Sequence, residues 1–113
     1  MATARYIHKG DAIDYTPGSA VAAGDVVVQG DLIGIAKLDM AAGQIGALAT
    51  VGVFDVAKAT GTGTDIAAGA KVYWNSGQSQ ATSEDGSGFN KYLGKAVRAA
   101  ATTDAAVRVR LEQ

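Results

Sequence analysis

Three times the chain writes a large apolar residue, two alanines and a glycine: Val21-Ala22-Ala23-Gly24, Met40-Ala41-Ala42-Gly43 and Ile66-Ala67-Ala68-Gly69. Aspartate precedes the last two, and the first and third run into strand-like residues, Val26-Val27-Val28 and Val72-Tyr73-Trp74. Glycine at the end of such a unit takes positive φ at little cost and turns the chain into the next strand. A reused corner of this kind predicts short β segments joined by tight turns, and it carries no chemistry of its own.

With 113 residues the chain is expected to form one small domain. Of its apolar residues 23 are alanine, which leaves 31 larger side chains for an interior. Burying one of these fully contributes roughly 1.5–3 kcal/mol, while ordering each residue costs about 1–2 kcal/mol of backbone entropy. An isolated copy is therefore near balance, and the composition predicts an oligomer or stabilisation by a partner. Cysteine is absent, which removes disulfides and thiolate metal sites. The net charge of −1, without a basic cluster, argues against nucleic acid as a partner. No apolar run approaches the ~18 residues of a membrane span, and residues 1–6 lack a signal-peptide core, so no membrane partner is expected and synthesis in a cytoplasm-like compartment is.

Along the chain, residues 6–15 read as two short extended pieces around Gly10-Asp11, and Pro17-Gly18 closes them off. This divides the chain into an N-terminal arm or hairpin, residues 1–16, and a single β domain, residues 17–113. Val26–Gln29 and Leu32–Ala36 form two strands around a Gly30-Asp31 turn. Further strands follow around a bend at Gly52, with Val51, Val53 and Asp55 on one face and Phe54 and Val56 on the other. Residues 59–64 form a polar loop, Val72–Asn75 opens a hairpin that returns through Gln78–Thr82, and residues 83–88 form an exposed loop. Tyr92-Leu93-Gly94-Lys95-Ala96 echoes Ile33-Gly34-Ile35-Ala36, which predicts two similarly placed strands closely approached by a neighbouring backbone. Val107-Arg108-Val109-Arg110-Leu111 alternates with its apolar residues inward. Alanine favours helix, yet frequent glycines and β-branched clusters limit it to a short turn near Asp39–Ala42 or Thr102–Ala105.

The chain offers no recognisable reactive centre and implies no cofactor. His8, the only histidine, sits in the arm beside Lys9, away from any nucleophile–acid pair in sequence. The aspartates are dispersed at turns and lack the spacing of a hard-cation site. Gly61-Thr62-Gly63-Thr64 superficially suggests a phosphate loop, but no window matches G-x-x-x-x-G-K-[ST], and the one Gly-Lys pair, Gly94-Lys95, continues into Ala96. Tyr73 and Trp74 point to opposite strand faces, so one is expected in the core and the other at an interface. These features predict a protein that works by contact and is not an enzyme.

Several segments together resemble the small phage and prophage head proteins known as capsid cement or decoration proteins. They are Tyr6-Ile7 with Gly10-Asp11, Ala22 to Val27, Leu32 to Ala36, Ala42-Gly43 with Gly46, Val53 to Lys58, Gly69 with Val72-Tyr73-Trp74, Leu93 to Ala96, and Val107 to Leu111. Relatives are sometimes labelled RecA-like phage recombinases, a label that requires the missing phosphate loop. The resemblance implies an all-β fold, a small β-clip or β-tulip-like barrel or sandwich of short strands with tight glycine corners and at most one or two short helical turns. It also implies a homo-oligomer, a trimer rather than a dimer, that binds the major capsid protein on the outer capsid surface of the virion after synthesis in the host bacterial cytoplasm. The arm is expected to add a strand to a capsid sheet edge, with Tyr6, Ile7 or Ile13 filling pockets. Tyr6, Ile7, Ile13, Tyr15 and Trp74 are the candidate capsid or subunit contacts. The competing expectation is a carbohydrate- or ligand-binding β module of a fibre or attachment protein that uses Trp74 and Tyr73.

Overall fold

The structure, a computed structural model, describes residues 3–112. The first two residues of the expected arm lie outside the described residues. Nine strands follow one another: β1 Ala12–Tyr15, β2 Val26–Gln29, β3 Leu32–Ala36, β4 Gly46–Ala49, β5 Gly52–Ala57, β6 Lys71–Asn75, β7 Gln80–Thr82, β8 Lys91–Ala96 and β9 Ala106–Leu111. They form two antiparallel sheets, one ordered β1-β4-β3-β2 and the other β5-β9-β8-β6-β7. The all-β expectation is met.

The two sheets repeat one plan. In each half the first strand pairs with the last, the last with the third and the third with the second, so that β5, β6, β8 and β9 occupy the places of β1, β2, β3 and β4. The corners match bond for bond. Gly24 N donates to Ala36 O at 2.6 Å and Ala36 N to Asp25 O at 2.9 Å, while Gly69 N donates to Ala96 O at 2.7 Å and Ala96 N to Ala70 O at 2.9 Å. Val21 exchanges two backbone bonds with Met40, and Ile66 does the same with Ala100. Gly24, Gly43 and Gly69, which end the repeated units, have φ of +92°, +79° and +80°, the left-handed region that glycine reaches without a Cβ penalty. Two of the three reused corners, those ending at Gly24 and Gly69, are thus equivalent corners of a duplicated four-strand unit, while the one ending at Gly43 precedes β4 and has no glycine counterpart before β9.

The echo of Gly34 in Gly94 also has its expected cause. A Cβ on Gly34 would lie 2.8 Å from Leu48 Cβ, and one on Gly94 would collide with the backbone carbonyl of Arg110. At both places the last strand of the unit crosses too close for any side chain.

The halves differ at the second strand. The first half joins β2 to β3 through Gly30-Asp31 alone, whereas the second inserts β7 and the 83–90 loop between β6 and β8. β7 pairs along β6, and a parallel bridge from Lys58 to Ala81 brings the two edges of the five-stranded sheet together, curling it toward a barrel. Its interior holds the main core, including Val56, Ile66, Val72, Trp74, Leu93, Val107, Val109 and Leu111, with Ile33 and Ile35 of β3 packed in from the other sheet. A smaller cluster of Val27, Ala36, Met40 and Leu48 lies on the opposite face of the first sheet, with Ile13, Tyr15 and Val21 packed against it.

Two expectations need adjustment. The single helical element among the described residues is a 3₁₀ turn at Gly86–Gly88, capped by Asp85, whose carboxylate accepts from Ser87 N at 3.1 Å. Residues 39–42 and 102–105 are not helical. Their corners close with isolated bonds, Gln44 N to Ala41 O and Asp104 N to Ala101 O, because the flanking bridges and strands leave no room for a second turn. Within residues 6–15 only Ala12–Tyr15 is strand, and it belongs to the body as the partner of β4. Thr50 anchors its start, donating its amide to Asp11 O at 3.0 Å and its hydroxyl to Gly10 O.

Candidate interaction surface

Between Thr3 and Lys9 the chain pairs with no strand, and its apolar side chains stay open: Tyr6 is 81% exposed and Ile7 68%. His8 Nδ1 accepts from Gly10 N at 3.0 Å, a local turn contact. Ile13 and Tyr15, the other arm candidates, lie half-buried against the smaller cluster. Trp74 is buried at 8% exposure in the main core, while Tyr73, on the opposite face, packs edge-on against Tyr92 with ring centroids 5.7 Å apart. The structure therefore brings Ile13 and Tyr15 together, leaves Tyr6 and Ile7 free of the body, and holds Trp74 apart from all four.

Exposed apolar side chains also occur where residue-by-residue reading named no contact: Leu38, Ile45 and Phe89 at corners and a loop tip, Val53 on β5, and Val51 and Val97 just outside the ends of β5 and β8. The alternation around Gly52 had placed Val51 and Val53 on the face opposite Val56, and that face is solvent-exposed. Leu38 and Phe89 sit in a bend and a turn, where no periodicity assigns a side, and Ile45, which the large–small alternation of residues 45–51 places at a strand start, lies just before β4.

The outer face of the second sheet carries cross-strand charges. Arg108 donates from Nε and Nη2 to the two carboxylate oxygens of Asp55 at 2.9 and 3.1 Å across the β5–β9 ladder. These hydrogen bonds hold the Asp55 carboxyl below its usual range and raise Arg108 further. Lys91 Nζ reaches Asp31 Oδ1 at 2.7 Å, linking the two halves and likewise lowering Asp31 through that hydrogen bond. Burial pushes the Tyr92 phenol up, assisted by the nearby Glu112 carboxylate.

Two hollows have distinct characters. One, of about 220 Å³, is walled by Thr64, Asn75, Gln80, Thr82 and Glu84, with Glu84 its one ionisable lining residue. The second, of about 490 Å³, is a groove along β2 bounded by Asp25, Val26, Val28, Trp74 and Ser79. Among the described residues no three His, Cys, Asp or Glu side chains are grouped to hold a metal ion, and no helix is long and apolar enough to cross a membrane. What the surface offers is apolar contact, strand edges and paired charge.

Comparison with the curated proteins and with the solved structures gave no match in either case. Comparison with protein families gave one: the model described as phage cement protein matches residues 7–111, from the exposed Ile7 to the end of β9. The match takes in both four-strand units and every corner that relates them, and the chain belongs to the phage cement protein family.

Proposed function

We propose that this family member binds the outer surface of a phage capsid and stabilises the mature head, with the major capsid protein as its partner and copies of itself, three in preference to two, as neighbours. Family membership assigns it a structural role at a phage capsid. The observation that carries the finer reading is the open N-terminal segment: an extended stretch whose Tyr6 and Ile7 have no place in the chain's own core. Tyr6, Ile7, Ile13 and Tyr15 then serve at capsid or subunit contacts, with the arm as the adaptable element and the body as the rigid one.

The mechanism is distributed contact. A protein seated where capsid subunits meet holds several at once, so individually modest contacts sum through effective concentration. Because it binds the assembled shell and not dissociated subunits, mass action transfers that binding free energy to the shell. No reacting group is required. Glycan stacking, the alternative use of Trp74, needs an open indole face, and Trp74 is buried.

The test is retention on purified cognate capsids that lack the protein. Co-sedimentation of the full chain, with a raised capsid melting temperature, is expected. Folded protein that stays in the supernatant at saturating concentration would sink the proposal.

A further inference from the structure

We infer that the free edge of β2 accepts an added strand from a second copy of this chain, the N-terminal segment 3–9 of that copy. This deepens the reading above by naming its contact between copies.

The duplication identifies the vacancy. β6, the counterpart of β2, has β8 on one side and β7 on the other, whereas β2 has β3 on one side and, among the described residues, no strand on the other. The first half is thus one strand short of the second at this edge. Backbone geometry says which groups wait there. The two-residue Gly30-Asp31 turn makes Gln29–Leu32 a hydrogen-bonded pair, so Val27–Gly34 is the next, and Val26 and Val28 turn their N–H and C=O groups outward. Unpaired edges of this kind are a pairing template that proteins usually cover or blunt.

The groove beside that edge has a defined shape. Val26 and Val28 pack toward the main core, and with Trp74 and Ser79 they bound the hollow of about 490 Å³. A strand laid along β2 places alternate side chains into this hollow and the others beside Val27 on the opposite face.

The arm fits as occupant on three grounds. It is an unpaired stretch with two adjacent exposed apolar residues, so Tyr6 can enter the hollow while Ile7 lies on the Val27 side. Its charge is of the complementary sign: Arg5 and Lys9 bracket Tyr6–His8, as the exposed Asp25 and Asp31 bracket β2, with Asp31 shared with Lys91 and Lys9 lying 3.8 Å from Asp11. It also leaves its own body from β1, the opposite edge of the same sheet, so a head-to-tail contact leaves each copy with one arm to give and one edge to fill, the heterologous arrangement that closes into rings. Antiparallel pairing is expected, as between β6 and β7.

The experiment uses the full chain, a truncation lacking residues 2–9, and a Tyr6→Cys/Ser79→Cys double variant, which is clean because the chain has no other cysteine. Light scattering is expected to give the full chain a multiple of 11.4 kDa and the truncation about one chain mass, with its circular dichroism unchanged. On oxidation, in solution and on capsids, the double variant is expected to give reducible bands of two or more chains. A truncation that keeps the full oligomeric mass would overturn the inference, as would a disulfide that closes only within single chains. So would a Tyr6→Cys that, on capsids, links only to capsid protein. Arm-dependent oligomers that capsids fail to retain would sink the capsid reading while leaving this contact standing.

Discussion

The two halves of the molecule carry the same four-strand plan and end in different states. In the second half β7 covers the edge of β6, the Lys58–Ala81 bridge draws the sheet round, and the main core fills the enclosed space. In the first half the sheet stays open at β1 and β2, and its own cluster is small and lies under loops. One added strand separates a sheet curled toward a barrel, its core completed by Ile33 and Ile35 of the first sheet, from a sheet with edges to offer. The duplication lets stability and contact be assigned to different copies of one unit.

The sharpest test of that contrast is at the matched glycines. Gly94→Ala pushes a Cβ into the Arg110 carbonyl, which cannot yield without moving β9, so a loss of about 3 kcal/mol or more is expected in urea denaturation. Gly34→Ala meets mainly the Leu48 side chain and should cost about 1–2 kcal/mol. Equal losses would mean that the halves are equally rigid and would break the comparison.

Cavity-forming changes should rank next. Leu93→Ala in the main core is expected to cost about 3–4 kcal/mol and Leu48→Ala in the smaller cluster about 2–3 kcal/mol, because loops collapse over a gap more readily than a curled sheet does. Denaturant midpoints measured on both variants decide it, and a larger loss at Leu48 would reverse the assignment of stability.

Lys58 probes closure itself. It is buried, and its Nζ donates to Ala59 O at 2.7 Å and Thr64 Oγ1 at 3.3 Å. By strand register its counterpart is Pro17, also buried. Lys58→Met keeps the stem but removes these bonds, and a loss of about 1–2 kcal/mol is expected, together with faster amide exchange in β7. Unchanged exchange there would show that the lysine does not hold the barrel edge.

The smallest effect is electrostatic. Asp31 and Asp55 have carboxyls lowered in the folded state, so it binds fewer protons than the unfolded chain as pH falls. Their contributions are present above the unfolded value of about 4 and fade as pH drops through the lowered folded values. Both groups are exposed, so a shallow, salt-sensitive decline in melting temperature below about pH 4 is expected, reduced in Asp55→Asn. A steep loss above pH 5 would point to a different titrating group.

Much of this architecture is written locally. The β2–β3 hairpin follows from four β-compatible residues, Gly30-Asp31 and a branched return, and β9 follows from strict alternation that buries Val107, Val109 and Leu111. The repeated apolar-Ala-Ala-Gly corner and the paired Gly34 and Gly94 were legible as a reused turn and two similarly placed strands, and the pairing of the strands turns them into a duplication. Nonlocal features were not legible. The burial of Trp74 depends on β7 returning beside it, the bridge from Lys58 joins residues far apart in sequence, and the free edge of β2 is defined by a strand that its half lacks. The site residues divide the same way: Tyr6 and Ile7 stand out in an arm without apolar periodicity, whereas Leu38, Ile45 and Phe89 are exposed for reasons that only the folded corners reveal.

The first half spans its second and third strands with two residues, so joining those strands makes no demand on the 83–90 excursion in the other half. That loop carries Phe89 outward at 84% exposure and contributes no residue to either core. A foreign peptide grafted between Ser87 and Gly88 would leave β7 and the barrel seam in place, turning every copy of the protein into a mount for displayed cargo.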